Sequence, residues 1–264
     1  MAAYPFILVS PATRGLSLAL TRYYLKHTNY PVFATFRSGS QEDVRSSIFG
    51  GLSQDGDIDP GRLSLLKLDL TSEKSIQSAA DTLSGSLSSN NAYLHTAFFT
   101  GGVLHPERNP SDLDFSDLQE TFQINVISHL LMLKHFSRFL PTANTSLKTD
   151  DSLAKWVHVS ARVGSISDNR LGGWYAYRAS KAALNQVIRT FDLHLQAKHI
   201  PAICVGMHPG TVKTDLSKPF WGGVKEGKLF EPDFAAKRLA TVVEGLRVDD
   251  RGKVWDWAGK EVPP

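Results

Sequence analysis

The chain has 264 residues, 42% of them hydrophobic, a formal net charge of +3 and one cysteine, Cys204. That length and apolar content suffice for a sizeable core in one α/β domain, and the small charge gives no reason to expect nucleic acid or a membrane surface as a partner. A lone cysteine excludes an intrachain disulfide and suits a reducing, cytoplasmic setting, and the nine histidines show no metal-ligand spacing, so no metal site is expected.

Apolar runs alternate with helical patterns from the start. "PFILVS" (Pro5–Ser10) reads as a strand. Its apolar core, Phe6–Val9, is too short for a signal peptide and lacks preceding basic residues, so no targeting segment is expected. A helix pattern follows over Gly15–His27, then a strand over Pro31–Phe36. The turn-rich stretch 50–61 leads to a strand at Leu63–Leu70, a helix at Ser72–Leu87 and a strand at Ala92–Phe99. A long helix is expected over Leu113–Leu140, a loop over 141–152, a strand over Lys155–Ser160 and a helix over Trp174–His199. A strand at Ala202–Pro209, a loop at Ser217–Pro232, a helix at Asp233–Leu246 and a strand at Lys253–Gly259 complete the chain. Several strands are apolar on both faces, as a parallel sheet covered by helices requires. The pattern predicts one domain spanning 1–264, a Rossmann-type doubly wound α/β fold with a parallel sheet of about seven strands and helices on both faces.

Two short motifs bear on chemistry. "SPATRGLS" lies between the first strand and first helix, where this fold binds dinucleotide phosphates on helix N-terminal amides. Only Gly15 offers glycine's freedom there. Pro11 donates no N–H and requires negative φ. Alone, the stretch also fits an ordinary strand-to-helix turn. In "WYAYRASKAALNQ", Tyr177 and Lys181 are four residues apart and share a helix face. The ammonium is expected to lower the phenol's pKa and make Tyr177 a general acid or base nearer neutral pH. Tyr175 does not compete, since its partner position is Ala179.

Taken together, the segments resemble the short-chain dehydrogenase/reductase family over essentially the whole chain, most nearly its C-factor-like and Sniffer-type carbonyl reductase branch. "SPATRGLS" resembles the glycine-rich TGxxxGxG, "LDLT" the segment after the third strand, "FFTGGVLH" the NNAG segment and "FQINVISH" the segment with a helix asparagine. "VSARVGS" resembles the serine segment, "YRASK" the YxxxK motif and "HPGTVKTDL" the PGxVxT segment. The resemblance implies hydride transfer between a nicotinamide cofactor and a small-molecule carbonyl or alcohol. It implies that Tyr177 is the acid or base, that Lys181 tunes it and holds the ribose, and that Asn125 anchors a proton-relay water. Ser10, Thr13, Arg14, Gly15 and Leu16 would hold the phosphates. Asp69 and Leu70 would meet adenine. Gly101 and Gly102 would approach the cofactor backbone-first. Pro209, Gly210 and Val212 would line the nicotinamide, with Thr214 at its phosphate or carboxamide. Family members are usually dimers or tetramers, so a homodimer or homotetramer is expected.

Three departures stand out. Pro11 and Ser17 replace family glycines. Phe99 and Thr100 replace strand-bracing asparagines. The family's catalytic serine aligns with Ala161. Successive strand residues face opposite ways, so Ser160 points away from the substrate unless the strand end bulges; Ser160 is still the expected substitute, with Ser165 in the following loop as a second candidate. Arg37 at the end of the second strand, together with Arg14 and with no acid before Glu42, favours the 2′-phosphate of NADP(H) over NAD(H). The segment Leu216–Pro232, rich in aromatics and glycines, is expected to form a substrate lid. Two alternatives remain at this level: a cofactor-binding signalling protein with little turnover, and an isomerase or dehydratase using the same cleft.

Overall fold

The structure, a computed structural model, describes residues 3–52, 58–87, 91–145, 147 and 153–264. The expected loops at 50–61 and 141–152 therefore lie partly outside the described residues.

The leading half runs β1 (Tyr4–Ser10), α1 (Gly15–His27), β2 (Val32–Phe36), α2 (Gln41–Gly50), β3 (Leu63–Lys67), α3 (Glu73–Ser86) and β4 (Ala92–Phe99). Next come α4 (Phe115–Phe122), a π-helical turn (Gln123–Ile127), α5 (Ser128–Phe136), β5 (Ala154–Val159), α6 (Tyr175–Ala197) and β6 (Ala202–His208). The chain closes with β7 (Thr211–Val212), β8 (Leu229–Phe230), α7 (Pro232–Gly245), β9 (Val254–Asp256) and β10 (Glu261–Val262).

Eight strands form one sheet in the order β10-β9-β6-β5-β4-β1-β2-β3. Neighbours from β3 to β9 pair in parallel, and β10 folds back antiparallel on β9. The doubly wound reading holds, with a short antiparallel edge added. Strand alternation supplies both cores. Ile7, Val9, Ala34, Val205 and Met207 face α1, α2 and α7. Phe6, Leu8, Phe99, Trp156 and Cys204 face α3, α5 and α6. The order of strands reverses at β1 and β4, and the crevice outside their carboxyl ends is where such a sheet takes ligands.

Some elements escaped the sequence pattern. α2 was missed, though Ser40 caps it by accepting from the Asp43 amide at 3.1 Å, a serine-x-x-acid signature. The pair β7 and β8 is only two residues long in each strand. The long helix expected over Leu113–Leu140 is interrupted by the π-turn that carries Asn125.

α6 carries the site, and one buried ion pair fixes its far end. Asp192 is fully buried. It accepts from Arg251 Nε at 2.8 Å and from the Cys204 amide at 3.0 Å. Asp192→Ala leaves the partly buried guanidinium without its counterion and the Cys204 amide without its acceptor, a loss that for a buried pair reaches about 3–5 kcal/mol. Urea unfolding should show a loss of about that size; a loss within about 0.5 kcal/mol, as at an ordinary surface site, would contradict the assignment.

Candidate active site

A cleft of about 1570 Å³ opens at the carboxyl ends of the central strands. Thr13, Arg14, Gly15, Leu16, Arg37, Asp69, Leu70, Gly101 and Gly102 line it, as do Ser160, Tyr177, Lys181, Pro209, Gly210, Val212 and Thr214. Two expected residues sit behind its wall. Ser10 accepts from Thr35 Oγ1 at 2.8 Å, and Asn125 is fully buried.

The altered loop is tied down by its neighbours. The Ser10–Pro11 peptide is cis. The Ala12 amide donates to the Thr35 carbonyl at 2.9 Å, and the Thr100 amide donates to the Ser10 carbonyl at 2.8 Å. Ser17 is accommodated because its hydroxyl turns back to the Arg14 carbonyl at 3.0 Å. A side chain at Gly15 would be strained on two counts. The glycine's φ is +53°, and a Cβ there would lie 2.8 Å from Thr214 Cγ2. α1 starts at Gly15 with no side-chain cap and no acid in its first turn. Its amides and dipole therefore remain available to an anion.

At the other end, Arg37 is exposed and lies near Asp69. The Asp69 carboxyl is held below its usual range, chiefly by hydrogen bonds from the Thr71 amide and hydroxyl, with Arg37 adding to the effect. Arg14 is also exposed, 3.8 Å from Asp215, a separation worth little in water.

The floor is the backbone Gly101–Gly102–Val103. Asn125 clamps Val103 from both sides. Its Oδ1 accepts from the Val103 amide at 2.8 Å and its Nδ2 donates to the Val103 carbonyl at 3.0 Å. Nδ2 also reaches Ser180 Oγ at 3.0 Å. The mid-helix asparagine thus pairs with a loop backbone.

Tyr177 and Lys181 share the cleft-facing side of α6, with Lys181 Nζ 5.7 Å from the Tyr177 ring centre. Nζ donates to the Val159 carbonyl at 2.9 Å. Gly164 permits this close packing, since a Cβ there would lie 2.8 Å from Lys181 backbone carbon. The expected depression of the phenol is not found. Burial pushes Tyr177 up to about 12 and Lys181 down to about 8. Desolvation of both groups outweighs their mutual attraction because the ammonium points to Val159 rather than to the phenolic oxygen.

Ser160 lines the cleft, but its hydroxyl donates to Asn185 Oδ1 at 2.6 Å. Asn185 lies one turn beyond Lys181 on α6. Ala161 lines the cleft beside it. Ser165 is engaged elsewhere, donating to the Pro264 carbonyl at 3.2 Å. In the expected lid, Phe220 lines the cleft, whereas Trp221 Nε1 donates to Ser217 Oγ at 2.9 Å. Phe230 is pinned in β8 against Trp257, with ring centres 4.6 Å apart.

Sequence reading missed Trp174. Gly172, Gly173 and Trp174 have φ of +64°, +66° and +51°. A tryptophan in that region is strained and persists only where neighbours enforce it. Here the Trp174 amide donates to the Glu107 carbonyl at 2.7 Å, and Arg178 Nε donates to the Gly173 carbonyl at 3.0 Å. The indole then stands at the cleft wall, 6.2 Å from Tyr177 and 4.7 Å from Phe220. The dipeptide "GG" before a tryptophan at the helix start was the available signal.

The short chain dehydrogenase family model matches residues 6–223. The chain belongs to that family. This short-chain dehydrogenase is 34% identical to the C-signal protein of Myxococcus xanthus over 152 residues, covering 58% of this chain and 81% of the relative. It matches the NADPH-bound carbonyl reductase from chicken fatty liver with a TM-score of 0.80 at 25% identity, covering 99% of this chain and 100% of the other. The carbonyl reductase Sniffer of Drosophila melanogaster shares the fold with a TM-score of 0.81 at 21% identity, covering all of both chains. No described helix of this dehydrogenase is long and apolar enough to cross a membrane.

The lysine shift has a measurable consequence. Its ordinary value of 10.5 falls to about 8 in the folded state. Between those values the unfolded chain holds a proton that the folded protein has lost, so the lysine's contribution to stability rises with pH, by up to about 1.4 kcal/mol per pH unit. The contribution is lost again as pH falls through 8. Denaturation of wild type and Lys181→Met across this window should show their stability difference moving in favour of wild type as pH rises; a pH-independent difference would contradict the shift.

Proposed function

We propose that this short-chain dehydrogenase is an NADPH-dependent carbonyl reductase. The observation that carries the reading is a protonated phenol, Tyr177, beside the buried ammonium of Lys181 in a nucleotide-sized cleft. The residues present fit the cofactor. α1 offers an uncapped N-terminus, Arg14 and Arg37 offer exposed guanidiniums, and Lys181 is a buried cation whose hydrogen-bond partner among the described residues is the Val159 carbonyl. Thr13, Arg14, Gly15 and Leu16 would hold the phosphates, Ser10 would support the loop, and Arg37 would meet the 2′-phosphate. Asp69 and Leu70 would flank adenine, and Gly101, Gly102, Pro209, Gly210, Val212 and Thr214 would surround the nicotinamide end. When bound, the cofactor supplies the hydride that reduces the carbonyl carbon.

The protein's own part is proton transfer and exclusion of water. With its pKa near 12, Tyr177 is fully protonated at neutral pH and is poised to donate to the oxygen that gains charge. That is the protonation state that carbonyl reduction requires of the acid. Lys181 supplies positive potential close to the phenol. Trp174 and Phe220 shape the apolar end of the cleft, and the segment 216–232 carries Phe220 as the part of a lid that faces substrate. Ile127, Leu130 and Leu193 leave apolar surface exposed on the π-turn, α5 and α6, which supports a homodimer or homotetramer. A cytoplasmic site of action suits the single buried thiol.

One observation favours a second reading, a cofactor-binding signalling protein with little turnover. Ser160 is engaged by Asn185 and Ala161 has no hydroxyl, so a hydrogen-bond donor for the substrate oxygen is missing. Loss of one such donor typically lowers turnover about 10²–10³-fold. Cofactor oxidation over a panel of aldehydes, ketones and quinones separates the readings. Measurable reduction that disappears in Tyr177→Phe, with NADPH affinity retained, is the expected result. Tight NADPH binding without turnover on any carbonyl would favour the signalling reading, and turnover by Tyr177→Phe near wild type would refute the acid role.

Cofactor choice has its own test. Arg37→Asp should weaken NADPH by about 1.5–3 kcal/mol while leaving NADH almost unchanged. An unaltered NADPH/NADH ratio in calorimetric titrations would place the 2′-phosphate elsewhere.

A further inference from the structure

Behind the cleft floor, three buried side chains form a line in which every proton has one possible position. Trp156 Nε1 lies 3.0 Å from His158 Nε2. An indole N–H only donates, so His158 Nε2 accepts and its ring proton sits on Nδ1. That Nδ1 lies 2.7 Å from His129 Nδ1, which must therefore accept. The proton of His129 is then on Nε2, 3.0 Å from the Gly101 carbonyl oxygen. A carbonyl only accepts, so both ends of the line impose the same direction. Trp156 and His158 come from β5 and His129 from α5, and all three are shut off from solvent. Burial and the nearby Lys181 charge keep both rings neutral, with His129 down at about 3.

The end of the line is the floor of the cleft. A Cβ at Gly101 would lie 2.6 Å from Leu70 Cδ1, and one at Gly102 would lie 3.6 Å from Lys181 Nζ. The floor is therefore tight at Gly101, while Gly102 lies at ordinary contact distance from the lysine. Asn125 fixes it at Val103. The side chain at the end of β4 does not fix Gly101, because Thr100 Oγ1 is turned to the Ser10 and Pro11 carbonyls. His129 is the group that does. Because hydrogen bonds in a chain polarise one another, the indole and the second imidazole strengthen the last bond as well as orienting it.

We propose that Trp156, His158 and His129 are positioning residues that set the Gly101–Gly102 backbone at the depth from which it contacts the cofactor, an inference that rests on the cleft being the nicotinamide nucleotide site. A merely structural role would require only that the space be filled. The proposed role requires a donor aimed at one carbonyl, so chemistry and volume can be separated.

Two measurements test it. Long-range proton–nitrogen NMR on the unaltered protein reads the tautomers directly. His158 should be the Nδ1–H form and His129 the Nε2–H form, both neutral near pH 7; either ring in the other tautomer, or protonated, would overturn the line. Calorimetric titration with NADPH then compares His129→Leu with His129→Gln. A glutamine amide can accept from His158 and donate to Gly101, whereas leucine can do neither. The leucine variant should bind NADPH about three- to tenfold more weakly, and the glutamine variant within about twofold of wild type, the scale of one neutral hydrogen bond. Equal affinity in wild type and the leucine variant would overturn the positioning role. Absence of NADPH binding by wild type would instead bring down the proposed function. Should the leucine variant fail to fold, the tautomers and the glutamine variant still decide.

Discussion

A buried ammonium sets the terms for the rest of this protein. Lys181 is 3% exposed and has a single hydrogen bond among the described residues, to the Val159 carbonyl. Removing a charge from water carries a penalty of several kcal/mol, which neighbouring dipoles only partly offset. Asp192 and Arg251 show how the same fold treats charges that serve only structure: they are paired at 2.8 Å. Among the described residues Lys181 is not paired with a carboxylate, and the groups around it are arranged accordingly. The two nearest histidines are kept neutral, Asn125 turns its amide to Val103 and Ser180, and Gly164 has no side chain to displace the lysine. The unmet demand is for oxygen-rich, negatively polarised chemistry on the cleft side, which under the proposed function a dinucleotide's ribose and phosphates would supply.

The loop with missing glycines is consistent with that demand. A phosphate site at a helix N-terminus needs free amides and close approach more than it needs a glycine count. Here the close approach survives at Gly15, where a side chain would collide with Thr214. Pro11 and Ser17 sit where other groups absorb them. Pro11 offers its carbonyl to Thr100, and Ser17 bonds back to its own helix. The apparent defect is thus a redistribution of local bonds, with the uncapped start of α1 left intact.

The doubly wound fold class and most elements were legible because burial on both faces writes itself into runs such as "PFILVS" and "AYLHTAFF"; the order of the strands was not. α1 and β4 matched their expected bounds. α2 was overlooked because its apolar positions, Val44 and Ile48, are few and its capping serine sits in a stretch that also reads as a turn. The candidate site was legible as a set of residues and illegible as geometry. Ser160 faces the α6 side as strand alternation implies, but only the folded chain reveals Asn185 waiting for its hydroxyl. The tyrosine's pKa was read in the wrong direction, since spacing along a helix gives proximity and says nothing of desolvation. The histidine line joins residues far apart in sequence, and no local pattern could have announced it.

The account stands on direct hydride transfer within the cleft. Incubation with NADPH carrying deuterium at the transferable C4 position, and a carbonyl substrate found to be turned over, tests this most directly. Mass spectrometry of the alcohol should find the deuterium on the carbinol carbon, with none released to solvent. An alcohol without label, or an isomerised or dehydrated product formed while NADPH is not consumed, would contradict it.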